Sequence, residues 1–262
     1  MRNVNVIIES IKAQSTKAIR DIESTTVFKN GEELKALRIQ LEETPNIVPI
    51  FYLTEDDRTD EQLVKDITSM LNNPAPTFNM ELMTSKEFLE KNAILCVSNK
   101  PYNERAAVRK WLDIYEYVRV IIPSDSDESK GTFVIEKSFL ESHPDVTKDW
   151  LFKTAKKNAM EKFISRDFLG MPIVTTEDGM YGGAAIAIKE YLDKYCDKKG
   201  IKKLLILPSS VHELILFDAD TYGEKTEADE LVRNVTETQV AEKDRLSYHA
   251  YIYDRETRKE SV

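Results

Sequence analysis

The sequence predicts an α+β fold, a mixed and largely antiparallel sheet with packed helices. Apolar residues recur at helical spacing in some stretches and alternate with polar ones in others, so both element types are present. Several strand-like runs are joined through short turn-forming stretches, the mark of hairpins. No regular strand-helix-strand repeat runs along the chain, which separates this pattern from a parallel α/β fold.

Taken in order, residues 4–22 carry Ile7, Ile8, Ile11, Ala18, Ile19 and Ile22 at helical spacing and predict an amphipathic opening helix. TTVF and LKALRIQL predict two strands joined at Asn30-Gly31, a pair that tolerates the positive φ of a tight hairpin. Leu37, Ile39 and Leu41 alternate with Arg38 and Gln40, so one strand face meets water. IVPIFYL (47–53) is a third strand, placed at an edge or a bulge by Pro49, which has no N–H to donate. Thr59-Asp60-Glu61-Gln62 fits a capping box and opens a helix to about Leu71, which NNPAPTFN (72–79) stops. Thr84-Ser85-Lys86-Glu87 is a second box, with Met83 and Phe88 as its hydrophobic staple. AILCVSN (93–99) predicts a strand and residues 103–113 a short helix. YEYVRVIIP and GTFVIE predict a hairpin across SDSDESK.

In the second half, residues 147–165 predict a helix with Leu151, Ala155, Ala159 and Phe163 on one stripe. PIVTT predicts a strand and EDGMYGG a loop. A helix over 184–199 ends at Gly200, the expected C-terminal stop. LLILP and HELILF are strands, 226–238 is a helix opened by Thr226, and LSYHAYIYD is a last alternating strand. The 262 residues are expected to form one domain, 1–262, allowing an N-terminal lobe over about 1–145 and a C-terminal lobe over about 146–262.

The composition, 41% hydrophobic and 32% charged, is that of a soluble globular protein. No apolar run approaches the roughly 20 residues of a membrane-spanning helix. The N-terminus breaks its apolar run at Asn5 and Glu9, unlike a signal peptide, so a cytoplasmic location and no membrane partner are expected. Cys96 and Cys196 lack metal-ligand or redox spacing and read as buried thiols. A net charge of −9 argues against a nucleic-acid partner, since that affinity comes from lysines and arginines neutralising phosphates. KTAKK (153–157) and KKGIKK (198–203) read as a solvated helix face and a helix C-terminus.

One stretch holds most of the candidate chemistry: LLILPSSVHELILF (204–217). His212-Glu213 is not a metallopeptidase HExxH, because position 216 is Leu. A serine hydrolase needs a nucleophile on a sharp strand-to-helix turn beside a base. Here Ser209 and Ser210 have no GxSxG context and lead into another strand, with Asp244 or Asp254 as the groups that could orient His212. The alternative is a hairpin turn in which Pro208 fixes φ, serine hydroxyls bond backbone N–H groups and His212 caps the sheet end. EDGMYGG could present backbone N–H groups to an anion at Gly182-Gly183, but its spacing matches no nucleotide motif. TEDDRTDE (54–61) and SDSDES (124–129) lack calcium-loop spacing. With His143, His212 and His249 far apart, no metal and no cofactor are expected. Tyr115, Tyr117, Tyr248, Tyr251 and Tyr253 read as strand packing before a recognition surface.

Three stretches of the second half, VTTEDGMYGGAAI (174–186), LLILPSSVHELILF (204–217) and LVRNVTETQVAEKDRLSYHAYIYDR (231–255), resemble together the bacterial family catalogued as domain of unknown function 5688, found in Firmicutes. VFKNGEELKALRIQL and NIVPIFYL agree more loosely. This chain departs from the family pattern at Thr176-Glu177 and at Thr236, where the family usually has Asn. The resemblance implies no activity, since none is established for that family.

Two functions follow from these readings. The first is a non-catalytic binding or interaction protein for an unknown small ligand or protein. The second is a serine-dependent hydrolase or transferase using Ser209 or Ser210 with His212. The candidate binding residues are Thr175, Asp178, Tyr181, Gly182, Gly183, Ser209, Ser210, His212 and Glu213.

Overall fold

The computed structural model describes residues 2–29, 32–43, 48–53, 58–72, 80–123 and 131–262. The Asn30-Gly31 turn, the helix stop at 73–79 and the SDSDESK connection therefore lie outside the described residues, as do parts of the 47–53 strand and the 54–61 acidic stretch. The fold is α+β, and every described strand pairing is antiparallel. Contacts divide the chain into two units, Met1–Asn79 and Met80–Val262, and residue 145 falls inside the second.

The first unit comprises α1 (Val4–Gln14), β1 (Ile19–Lys29), β2 (Glu32–Leu41), β3 (Ile50–Tyr52) and α2 (Asp60–Asn72). The helix expected over 4–22 ends at Gln14, and Ile19 and Ile22 belong to β1 instead. The reason lies in Ser15 and Thr16. Ser15 bonds Lys17 through its hydroxyl, and Thr16 donates from both its amide and its hydroxyl to Asn72 Oδ1, so local polar bonds replace the helical ones. The sheet runs β1-β2-β3, which makes β3, just after Pro49, an edge strand. Leu37, Ile39 and Leu41 face Ile7 and Ile11 of α1 and Leu63, Val64 and Ile67 of α2 in one core, while Arg38 faces out and pairs with Glu23. The capping box at α2 is reciprocal. Gln62 N–H donates to Thr59 Oγ1 at 3.2 Å and Thr59 N–H to Gln62 Oε1 at 2.8 Å.

The second unit begins with α3 (Met80–Met83), α4 (Lys86–Asn92), β4 (Ala93–Ser98), β5 (Val108–Trp111), β6 (Ile114–Ile122) and β7 (Gly131–Val134). Ser85, the second residue of the expected box and not its first, Thr84, caps α4 by accepting from Phe88 N–H. Residues 103–113 are not a helix. Asn103 accepts from the amides of Arg105 and Ala106, and Val108–Trp111 then folds back on Ile114–Tyr117 as a strand. β6 pairs with β4 on one side and with β5 and β7, end to end, on the other.

The chain continues through α5 (Lys137–Ser142), α6 (Lys148–Lys162), β8 (Phe163–Phe168), β9 (Met171–Thr176), a 3-10 turn (Gly182–Ala187) and α7 (Lys189–Lys199). It closes with β10 (Lys203–Ser210), β11 (Glu213–Asp218), α8 (Ala219–Tyr222), α9 (Lys225–Thr238), a 3-10 turn (Glu242–Asp244), β12 (Tyr251–Asp254) and β13 (Lys259–Ser261). The second sheet has the order β13-β12-β10-β11-β9-β8. Four sequence expectations shift here. The 147–165 helix ends at Lys162, because Phe163 enters β8 and pairs with Thr176. The 184–199 helix is interrupted at Ile188, whose φ of −118° and ψ of 89° divide the 3-10 turn from α7. α9 starts at Lys225 with Glu224, not Thr226, at its N-cap position. Only Tyr251–Asp254 of LSYHAYIYD is strand, because Ser247 Oγ bonds the backbone of His249 and holds a turn there. Gly200 does close α7, with φ of 70° and Ile201 N–H bonded to Cys196 O.

The alternation of β4 and β6 decides what each sheet face does. Leu95, Val97, Val118 and Val120 join the main core with Leu151, Phe152 and Ala155 of α6 and with Leu204, Ile206, Tyr251 and Tyr253 of the six-stranded sheet. Ile94, Cys96 and Tyr117 point to the opposite face and form a smaller cluster with Tyr102, Val134 and Tyr181. Leu205, Leu207 and Ile252, on the other face of the six-stranded sheet, cover Ala228 and Val232 of α9.

Candidate functional site

Strands β10 and β11 form a hairpin whose turn is Val211-His212, with a register shift between Pro208 and Ser210. Pro208 belongs to the strand, opposite Leu214, not to the turn. β12 pairs with β10 only over Lys203–Ile206, so the missing N–H of Pro208 faces no strand there. The loop Glu177–Tyr181 and the start of the 3-10 turn pack directly against this hairpin. Gly183 N–H donates to Val211 O at 3.1 Å, and Thr175 Oγ1 donates to His212 O at 3.0 Å. Glycine is required at 182 and 183 by space. A Cβ on Gly182 would sit 2.4 Å from Thr175 Cα, and one on Gly183 would sit 2.7 Å from Val211 O.

His212 occupies the junction. Its Nδ1 accepts from Tyr181 N–H at 3.2 Å, so that nitrogen carries no proton. The proton is then on Nε2, which faces Asp244 Oδ1 at 3.3 Å. Asp244 is itself tied to the hairpin, since Val211 N–H donates to its carbonyl. Ser210 Oγ accepts from His212 N–H, and Ser209 Oγ donates to Glu213 Oε1 at 2.9 Å instead of bonding a backbone amide. Among the described residues neither serine hydroxyl is bonded to the imidazole. In a serine-hydrolase triad Nδ1–H faces the carboxylate and Nε2 takes the serine proton. Here the carboxylate is at Nε2, and a backbone amide fills Nδ1.

The effect of the His212 bond is felt at Tyr181, which holds a left-handed backbone with φ of 64°. A non-glycine residue adopts that conformation only when its surroundings fix it. Thr176 fixes the other end of the loop: its hydroxyl donates to Asp178 Oδ1 or Met180 O and accepts from Met180 N–H. Thr236 is buried and donates to Ser247 O at 2.9 Å. The structure thus gathers Thr175, Tyr181, Gly182, Gly183, Ser210 and His212 at one junction. Ser209 and Glu213 bond each other along the hairpin.

Thr176, Asp178, Met180 and Tyr181 form one wall of a cavity of about 700 Å³. Ile94 and Leu95 of β4, Thr132 of β7 and Lys162 of α6 supply others. Behind Thr132 and Tyr181 lies Arg119 of β6, which is 7% exposed. Its Nη1 donates to Thr132 Oγ1 at 2.7 Å, and its guanidinium carbon lies 5.2, 5.4 and 5.8 Å from the ring centres of Tyr181, Tyr102 and Tyr117. Tyr102 and Tyr117 stack at 4.7 Å. Burial pushes the Cys96 thiol up to about 12 and the Tyr117 phenol well above its ordinary value, with Arg119 pulling both the other way. Burial also raises Tyr181. The sequence reading passed over Arg119, Thr132, Lys91 and Lys162. The available signal was an arginine inside YEYVRVII, a strand otherwise apolar around it.

A second cavity, of about 590 Å³, runs along α6 beside Arg109, Trp150 and Lys157 and touches none of the sequence candidates. Among the described residues no three metal-ligating side chains converge, and no helix is long and apolar enough to cross a membrane. Fold and site together define an α+β protein with a strained loop at the mouth of a cavity. Residues 160–255, from the end of α6 through β12, match the sequence profile of a family of unknown function (DUF5688), to which this part of the chain is similar. No curated protein and no solved structure matches the chain.

Proposed function

We propose that this chain is a non-catalytic binding protein, bacterial and cytoplasmic, which receives a small ligand at the cavity beside the 176–181 loop. The observation that carries the reading is the double engagement of His212, whose Nδ1 accepts from Tyr181 N–H and whose Nε2 faces Asp244. An imidazole held this way has no nitrogen left to take a proton from Ser209 or Ser210. It acts instead as a brace that positions the loop. The cavity volume of about 700 Å³ falls within the ordinary range of small-molecule sites, which favours a ligand over a macromolecular partner. The net charge of −9 speaks against nucleic acid. Two buried, unpaired cysteines fit a reducing compartment.

A fluorophosphonate probe tests the non-catalytic reading. Neither Ser209 nor Ser210 is expected to label. Labelling that vanishes in the serine-to-alanine variant and in His212→Ala, with the fold intact by circular dichroism, would establish a nucleophile–base pair and replace the binding reading by the hydrolase.

A further inference from the structure

Arg119 is a buried cation with no counter-ion among the described residues. Among the described residues no carboxylate bonds it, and its Nε is buried with no hydrogen-bond partner. Its polar neighbours do not neutralise it. The Cys96 thiol, pushed up to about 12, and the Tyr117 phenol, raised well above its ordinary value by burial, are uncharged at neutral pH. The tyrosine faces stabilise the charge in part. Thr132, the Cys96 thiol and the Tyr117 phenol also hydrogen-bond the group, but its Nε is left unfilled, and the Nε edge of a guanidinium matches the two oxygens of a carboxylate. A buried charge kept without a partner is unfavourable for the fold alone.

The cavity supplies a position for such a partner. Arg119 is separated from it by single side chains, since its bonding partner Thr132 and its ring partner Tyr181 both line the cavity. Ile94, paired with Arg119 across the sheet, and Ile121, two residues along the same strand face, line it as well. Together with Phe163 and Met180 they give it an apolar body, and Lys162 places a further cation on its wall.

We propose that this cavity binds a small organic carboxylate with an apolar or aromatic body, and that Arg119 is its counter-ion. The carboxylate reaches the guanidinium beside Thr132 and Tyr181, and the apolar part lies against Ile94, Ile121 and Phe163. Tyr181 then gates the approach, with His212 holding the backbone that aims it. The inference rests on the binding reading of this face but is tested apart from it.

The probe is 1-naphthoate, with 1-naphthamide as its uncharged counterpart, titrated calorimetrically into the full chain. Naphthoate is expected to bind at least tenfold more tightly than the amide, and Arg119→Met to abolish that preference. Arg119→Met is also expected to melt no lower than the wild type, because it removes an uncompensated buried charge. If that variant does not fold, Arg119→Lys decides, since it keeps the charge without the fork and is expected to weaken naphthoate at least tenfold. Equal affinity for acid and amide, or naphthoate binding unchanged in a folded Arg119 variant, overturns the proposal. A serine that labels with fluorophosphonate while naphthoate still binds through Arg119 would remove the non-catalytic reading and leave this one standing.

Discussion

Replacing Gly182 by alanine adds one methyl group at the point where the 3-10 turn meets the hairpin. That carbon would lie 2.4 Å from Thr175 Cα, 2.9 Å from Thr175 C and 2.6 Å from His212 O. Carbon contacts settle at about 3.5–4.0 Å, so the overlap with Thr175 is on the order of 1 Å. All three obstacles are backbone, on β9 and on the β10–β11 turn, so no side chain can rotate away to relieve it. Overpacking of a core costs about 1–3 kcal/mol, and rigid backbone on both sides puts Gly182→Ala at the top of that range. The lost freedom of the unfolded chain returns about 0.4–1 kcal/mol, leaving a net destabilisation of about 2 kcal/mol. Gly179→Ala is the control, because nothing lies within 4 Å of its Cβ position and only its φ of +70° opposes the substitution. Urea unfolding followed by circular dichroism reads both. A Gly182→Ala midpoint equal to the wild type, or a smaller loss than in Gly179→Ala, would show that the loop does not pack against the hairpin as described.

Other consequences are open to similar measurement. Leu169 and Gly170 form a two-residue hairpin loop with φ of 54° and 82°, and Leu169 is 85% exposed, so Leu169→Asn should raise stability by about 1 kcal/mol in the same urea assay. Tyr251 OH donates to Asp113 Oδ1 or Ser247 Oγ inside the core, and Tyr251→Phe should lower stability by about 1–2 kcal/mol, read as a thermal midpoint. Cys96 and Cys196 are fully buried, with thiols pushed up by burial to about 12 and about 11, so Ellman's reagent should titrate neither until denaturant is added. Asp254 accepts from the amide and the hydroxyl of Thr257, which hold its carboxyl below the ordinary value. Its contribution is therefore full above the ordinary aspartate pKa of about 3.9 and is lost as pH falls through the lower folded value. Asp254→Asn should flatten the acid limb of the stability curve, and an unchanged limb would refute the assignment.

The parts of the fold legible in the sequence are those fixed by short-range chemistry. Thr59 and Gln62 satisfy each other's backbone partners whatever lies around them, and Gly200 supplies the left-handed residue after α7 that other residues resist. Alternation in β2 was equally plain, because one face meets water. The misread stretches are those in which distant partners override local preference. Residues 103–113 have helical spacing, yet Val108–Trp111 is taken into the sheet by β6. The opening helix stops short because Thr16 finds Asn72, more than fifty residues away in sequence. β8 was missed altogether, since Phe163 completes the stripe of α6 as well as it starts a strand, and β8 is an edge strand with four exposed residues after Ile164.

The site shows a different limit, one of hydrogen-bond direction. Serine, histidine and aspartate do come close together, as a search for residue types would reward, and His212 does face Asp244. What decides its chemistry is the partner of the other nitrogen, and that partner is a backbone amide that every residue but proline possesses and no motif records. A donor at Nδ1 fixes the tautomer, and the tautomer turns a candidate base into a brace for Tyr181. The same bond links the hairpin to the cavity. His212 holds the left-handed backbone of Tyr181, the Tyr181 ring lies over Arg119, and Arg119 has no carboxylate partner among the described residues. His212→Ala should therefore weaken ligand binding without touching the ligand, through the loop, whereas Arg119→Met removes the counter-ion itself. Naphthoate affinity restored to His212→Ala by neither added imidazole nor Asn at 212, with the fold intact, would leave the brace without support.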